Sequence, residues 1–360
     1  MCSYYSIKPP LSHYTPLLPN HKEKRANIGF AHSTRKSKNI IITSHTNPDG
    51  DAIGSSLALY NLFSKLGYNV NVCIPNNIPG FLRWITNCEK ILIYKKESVK
   101  VKRIVEEAEI IFCLDYNDLH RLENMSEPII NSKAIKILID HHPKVENDID
   151  YRFSTTETSS TAELIYEFIR GIGYENLIDK EIAECIYVGI ITDTGSLSYL
   201  CNYQSTYLII AKLIGLGIDG KRIHQLVYDT FSENRLRLLG YSLCEKLKVL
   251  KEFSTAYIYL SKSDLKKFKY QVGDTEGLVN YALSIKGIQF AALFTERENV
   301  VRISFRSKEN FRVNEFASKH FEGGGHNNAA GANSYISLNE TIEKFENLLI
   351  EYKSRLRYSE

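Results

Sequence analysis

Apolar residues in the first half of the chain fall in short unbroken runs. Asn39–Thr43, Ile110–Leu114 and Ile135–Ile139 are apolar and rich in β-branched residues. Each is bounded by polar residues, which predicts buried strands. Asn69–Ile74 alternates as a strand and stops at Pro75. Segments of helical spacing lie between and after these runs. One helix reaches about Lys65 and ends at Gly67, Val99–Ala108 reads as a short charged helix, and Ser159–Arg170 and Glu181–Ile191 read as apolar ones. Strands alternating with helices predict a doubly wound, mostly parallel sheet over residues 26–195. Residues 196–250 read as a helical linker broken by Gly215, Gly217 and Gly220. From Phe253 the pattern changes. Phe253–Leu260, Ile288–Thr295 and Val300–Phe305 read as strands and Arg312–Phe321 as a helix, giving a smaller α+β domain over 251–355. Residues 1–25 read as an irregular extension. The fold class is therefore α/β, in two domains.

The predicted strands deliver chemistry at their C-terminal ends. The first runs into His45, Asn47, Pro48, Asp49, Gly50 and Asp51, the second into Asp115, and the third into Asp140, His141 and His142. By itself the first turn could be a capped βα junction. Open parallel sheets bind ligands beyond the carboxyl ends of their strands, and seven such groups at three strand ends decide for a site. Asp193 joins them at a helix exit, where a carboxylate opposes the helix dipole unless a cation is near. Carboxylates and imidazoles without a thiolate suit hard or borderline divalent ions. The number of candidates exceeds one ion's needs, and two ions bridged by a carboxylate support phosphate-ester hydrolysis.

Other polar positions carry weaker signals. Ser159, Ser160 and Thr161 read as helix caps, with contact to an anion as the alternative. Asp274 and Glu276 read as caps of the next helix. Trp84 reads as a packing anchor. Gly323, Gly324, Gly325 and His326 read either as a flexible loop or as a nest-like anion cradle. A period of two places Arg302, Ser304 and Arg306 on one strand face, and arginine forks match phosphate.

Composition adds limits. The 360 residues suffice for two cores, and 43% hydrophobic and 24% charged residues are ordinary for a soluble protein. A net charge of +3 predicts no strong nonspecific affinity for nucleic acid. No apolar run approaches the length of a membrane span, and the N-terminus shows no signal pattern, so a cytoplasmic protein is expected. The seven cysteines are odd in number and form no CxxC pair, which predicts free thiols.

HTNPDGDAIGS, LDYND, DHHP and ITDTG, followed by SFRSK and GGGHNNAAG, resemble the DHH/DHHA1 phosphoesterases, and among them the bacterial NrnA-like nanoRNase and pAp phosphatase group. The resemblance spans roughly residues 26–350. It implies two manganese ions, with Mg²⁺ or Co²⁺ as alternatives. His45, Asp49 and Asp115 would bind one ion, and Asp51, Asp115, His141 and Asp193 the other. Asp140 would support its neighbour, and His142 would contact the scissile phosphate and help protonate the leaving oxygen. Arg306, Ser307 and Gly323–His326 would hold the rest of the nucleotide, with the active site in the cleft between the domains. The implied substrate is short RNA or a nucleotide, and no stable protein partner is implied. A pyrophosphatase or polyphosphatase, a RecJ-like exonuclease, and a non-catalytic nucleotide sensor or RNA-binding module are the alternative readings.

Overall fold

The computed structural model describes residues 38–143, 149–199 and 201–356. The expected irregular extension over residues 1–25 lies outside the described residues. The chain divides into two compact units, the first running to Ile223 apart from Pro79–Phe81 and the second starting at His224.

The first unit contains strands β1 (Asn39–Ser44), β2 (Asn69–Ile74), β3 (Leu92–Ile93), β4 (Ile110–Leu114), β5 (Ile135–Asp140) and β6 (Tyr151–Ser154). Its helices are α1 (Gly50–Lys65), α2 (Tyr94–Glu106), α3 (Ser126–Asn131), α4 (Thr161–Gly171), α5 (Lys180–Asp193) and α6 (Gln204–Gly215). The strand order is β3-β2-β1-β4-β5-β6, and every pairing is parallel. Ile40 faces Val70 on one side and Ile110 on the other, so β1 is central. Alternate strand residues serve opposite faces. Ile41, Ile111, Cys113 and Leu138 pack under Val101, Val105 and Ile129 from α2 and α3. Phe112 points the other way, against Phe63 of α1 and Phe168 of α4. Burial on both faces explains the unbroken apolar runs. α2 begins at Tyr94, five residues before the predicted start at Val99.

α7 (Gly220–Tyr228) leads on to the second unit. That unit holds α8 (Glu233–Glu245), β7 (Leu247–Leu250), β8 (Thr255–Leu260), α9 (Lys262–Lys267), α10 (Leu278–Leu283), β9 (Phe290–Glu296), β10 (Val301–Ser307), α11 (Val313–His320), β11 (Glu322–His326), β12 (Ala329–Ser334) and α12 (Leu338–Tyr352). The sheet order is β11-β12-β10-β9-β8-β7, antiparallel except for β8–β9. A phenylalanine-rich core (Phe290, Phe294, Phe305, Phe316, Phe345) lies under α11 and α12, and a second, aliphatic core lies under α8 and α10.

Two expectations change here. Gly323–His326 is an edge strand rather than a loop or nest, paired antiparallel with Ala329–Ala332. A Cβ on Gly323 would stand 2.4 Å from Gly331 O, and one on Gly325 2.5 Å from Ala329 O, so the close approach of β12 accounts for these two glycines. Asp274 is not the cap of α10. Its N-cap is Gly277, which makes no side-chain bond, and Asp274 instead accepts from Gln271 N–H in the preceding turn. Among the described residues no helix is long and apolar enough to cross a membrane. Cys73, Cys88, Cys113 and Cys185 are buried free thiols, as expected.

Candidate functional site

The ends of β1, β4 and β5 lie side by side, so their polar successors converge on one edge. Asp49 caps α1, its Oδ1 accepting the N–H groups of Asp51 and Ala52 at 3.0 Å. This is the capped junction that the turn sequence suggests, and the same turn leaves His45 and Asp51 buried. The loop is tied down at three points. Thr46 N–H donates to Arg121 O (2.9 Å), Thr46 Oγ1 to Glu123 Oε1 (3.0 Å), and Asn47 and Asn76 exchange two bonds of 2.7 Å.

Asp115 holds a left-handed backbone, φ 63°, which costs a non-glycine residue about 1 kcal/mol. Its N–H still pairs with Ile139 O (3.1 Å), so the strand ends in a sharp turn that keeps the carboxylate at the sheet edge. Asp115 Oδ2 meets His45 Nε2 at 3.3 Å. Its Oδ1 accepts from Thr161 Oγ1 at 3.0 Å and lies 3.7 Å from His141 Nε2. His141 Nε2 is 3.4 Å from Asp193 Oδ2.

Asp51 is 1% exposed and is anchored by the first turn of α4. Its Oδ2 accepts from Thr161 N–H (2.7 Å) and its Oδ1 from Ala162 N–H (2.8 Å). Ser160 caps the same helix through Glu163 N–H. The run therefore caps the helix, as the first reading has it; its groups are buried rather than open to an outside anion, and the carboxylate at the helix start is Asp51 of the same chain.

Asp140, fully buried, accepts His142 Nδ1–H on Oδ1 (2.7 Å) and His142 N–H on Oδ2 (3.2 Å). This fixes the imidazole so that Nε2 points away from Asp140, and Arg121 Nη1 lies 3.4 Å from that atom. Arg121 is a site residue that the sequence reading missed. It sits on an irregular turn, Leu119–Met125, with no periodic pattern to mark it.

Electrostatics reflect the crowding. Burial pushes the Asp51 carboxyl well up, and the charges of Asp115, Asp193 and Asp49 push it further. Burial also acts to raise Asp115, but the hydrogen bond from His45 and the charges of three imidazoles outweigh it and hold it below the usual range. His45 is raised because Asp115 and Asp49 outweigh its burial, and His141 is lowered mainly by burial. Converging carboxylates of this kind call for a cation. Within this unit, ligand atoms of His45, Asp49 and Asp115 lie within 4.8 Å of one another; so do those of Asp51, His141 and Asp193, and those of Asp115, Asp140 and His142. The donors are oxygens and imidazole nitrogens, which fits divalent ions of the Mn²⁺ or Mg²⁺ class.

The remaining sequence-predicted residues belong to the second unit. Along β10, Val301, Ile303, Phe305 and Ser307 are buried, and Arg302, Ser304 and Arg306 take the opposite face, as the alternation predicts. Arg306 Nη1 donates to Phe305 O at 3.0 Å. Ser307 Oγ is used internally, donating to Phe311 O (2.5 Å) and accepting from Asn328 Nδ2 (2.9 Å). His326 ends β11 opposite Ala329.

The DHH family, N-terminal domain, matches residues 39–190, and the DHHA1 domain matches residues 253–354. A crystal structure of an exopolyphosphatase-related protein from Bacteroides fragilis is 43% identical, with a TM-score of 0.86 and coverage of 89% of this chain and 94% of that one. The bifunctional oligoribonuclease and PAP phosphatase NrnA of Bacillus subtilis is 28% identical over 82% of this chain and 89% of its own length. The Thermus thermophilus protein of the same name is 27% identical over 89% and 91%. Sheet order, the acids at the strand ends and these matches agree along nearly all the described length, and the chain belongs to the DHH/DHHA1 family of phosphoesterases.

Proposed function

We propose that this protein hydrolyses short oligoribonucleotides and linear dinucleotides to 5′-mononucleotides, and removes the 3′-phosphate of pAp to give AMP. It would do so in the cytoplasm. The observation that carries the reading is the pair of donor groups, His45–Asp49–Asp115 and Asp51–His141–Asp193, at one sheet edge. The names of the Bacillus subtilis and Thermus thermophilus relatives supply the substrate class. We assign His45, Asp49 and Asp115 to one divalent ion and Asp51, Asp115, His141 and Asp193 to a second, with Mn²⁺ the favoured metal. Two such ions supply an activated water and a clamp on phosphoryl oxygens.

The chain's own groups do the rest. Asp115 is shared between the two sets, and its left-handed backbone keeps it at the sheet edge. Asp140 holds His142 through Nδ1, which leaves Nε2 to face the scissile phosphate. From there, His142 serves as the general acid towards the leaving oxygen. Arg121 adds a guanidinium for phosphoryl oxygens where charge grows in the transition state. We assign the rest of the nucleotide to Arg306 and the Gly323–His326 strand. Ser307 supports them from the core side.

Release of mononucleotides from a dinucleotide by purified protein with Mn²⁺ tests the reading. Absence of turnover with Mn²⁺, or an Asp115→Ala variant as active as the parent, would sink it. One observation favours a second reading: the 43%-identical relative is described as exopolyphosphatase-related. Parallel rates on polyphosphate and on a dinucleotide separate the two.

A further inference from the structure

Glu163 is a carboxylate that the proposed chemistry does not use. It is 1% exposed, and it receives four hydrogen bonds from neutral donors. Ser159 N–H and Ser159 Oγ donate to Oε2 at 3.1 and 2.6 Å, and Thr206 Oγ1 donates to the same oxygen at 2.6 Å. Ser205 Oγ donates to Oε1 at 2.5 Å. A buried carboxylate is costly to maintain unless such donors are provided. Here they come from two directions: the turn that enters α4, and the first residues of α6.

That turn is the same one that anchors the centre. Two residues beyond Ser159, Thr161 gives its N–H to Asp51 and its hydroxyl to Asp115, and Ala162 gives a second N–H to Asp51. Glu163 is the next residue, so its side chain folds back over the turn and ties it to Ser205 and Thr206. We infer that Glu163 is a positioning residue for the metal centre. It clamps the Ser159–Ala162 turn so that three donors are held on Asp51 and Asp115, and α6 forms the far jaw of the clamp. The inference rests on the proposed metal assignment. Outer groups that orient ligands typically change metal affinity by roughly tenfold to a hundredfold when removed.

The test titrates the full chain with Mn²⁺, following free Mn²⁺ by electron paramagnetic resonance, with folding checked by circular dichroism. Glu163→Ala is expected to weaken Mn²⁺ binding roughly tenfold or more and to lower kcat with little change in KM. Glu163→Gln, which can still accept from Ser159, is expected to recover most of the affinity. Ser205→Ala with Thr206→Val removes the far jaw without touching the turn and is expected to weaken binding several-fold. A folded Glu163→Ala that binds Mn²⁺ like the parent overturns the inference. If Glu163→Ala does not fold, the Ser205→Ala/Thr206→Val protein decides, and parental affinity there overturns it equally. A parent that binds no Mn²⁺ overturns the proposed function and this inference together, whereas a parent that binds with unchanged variants overturns this inference alone.

Discussion

Replacing Gly189 by alanine probes how tightly Asp51 is held. Gly189 lies on the face of α5 that meets α1 and the start of α4. A Cβ there would stand 2.4 Å from Ala162 Cβ and 2.8 Å from Asp51 Oδ1. Carbon atoms prefer about 3.5 Å or more, so α4 or α5 must retreat by roughly 1 Å. Such a shift stretches the 2.8 Å bond from Ala162 N–H to Asp51 towards the limit of a hydrogen bond. Helix propensity alone would favour alanine by about 1 kcal/mol. Overpacking opposes it by about 1–3 kcal/mol, and loss of a bond to a charged acceptor by about 1.5–3 kcal/mol. The balance is a loss of about 1.5–5 kcal/mol, or roughly 3–20 °C in Tm for a unit of this size. Thermal unfolding by circular dichroism, with and without Mn²⁺, measures it, and dinucleotide hydrolysis should fall with it. Gly240→Ala is the control: it lies inside α8 with open space at its Cβ and should be neutral or slightly stabilising. A Gly189→Ala protein with parental Tm and rate would refute the packing argument.

Further predictions concern individual side chains. Arg121→Ala should lower kcat/KM by about a hundredfold while leaving the Mn²⁺-dependent rise in Tm intact; equal losses of both would make Arg121 a structural residue. Asp140→Asn should keep Mn²⁺ affinity and lose about tenfold or more in kcat, because the carboxylate that orients His142 is gone; steady-state kinetics beside a metal titration checks this. In the second unit, burial acts to raise Asp264, but the Ser261 N–H and hydroxyl, the Tyr241 hydroxyl and Lys246 bring it down to about 2. A depressed carboxyl stabilises above its unfolded value, near 3.8, and that contribution is lost as pH falls from there towards 2. Asp264→Asn should therefore lower Tm at pH 7 and flatten the acid limb of the stability curve between those values, as a pH series of melts would show.

Much of the first unit was legible because its central strands are buried on both faces. Ile110–Leu114 is fully apolar, and its end is marked by Asp115. The acids were legible as a group for the same reason: parallel strands share one carboxyl edge. Arg121 was not, since its approach to His142 depends on an irregular turn that includes Glu123 at φ 50°. β11 was missed because glycine has neither strand propensity nor alternation to display, and its pairing is set by β12. The part played by Thr161 was half legible. A cap is a local pattern, whereas its bonds to Asp51 and Asp115 join segments far apart in the chain.

That last separation has a consequence for synthesis. The ribosome makes Asp51 long before Thr161 and Ala162, whose N–H groups receive its carboxylate. A nascent chain that has emerged only as far as β6 can already pair β1, β2, β4 and β5, yet Asp51 faces its neighbouring acids without that anchor. Chains truncated between residues 155 and 160 should therefore collapse around the sheet and bind Mn²⁺ poorly. Extension through α5, which brings Asp193, marks the point in translation at which the centre can close.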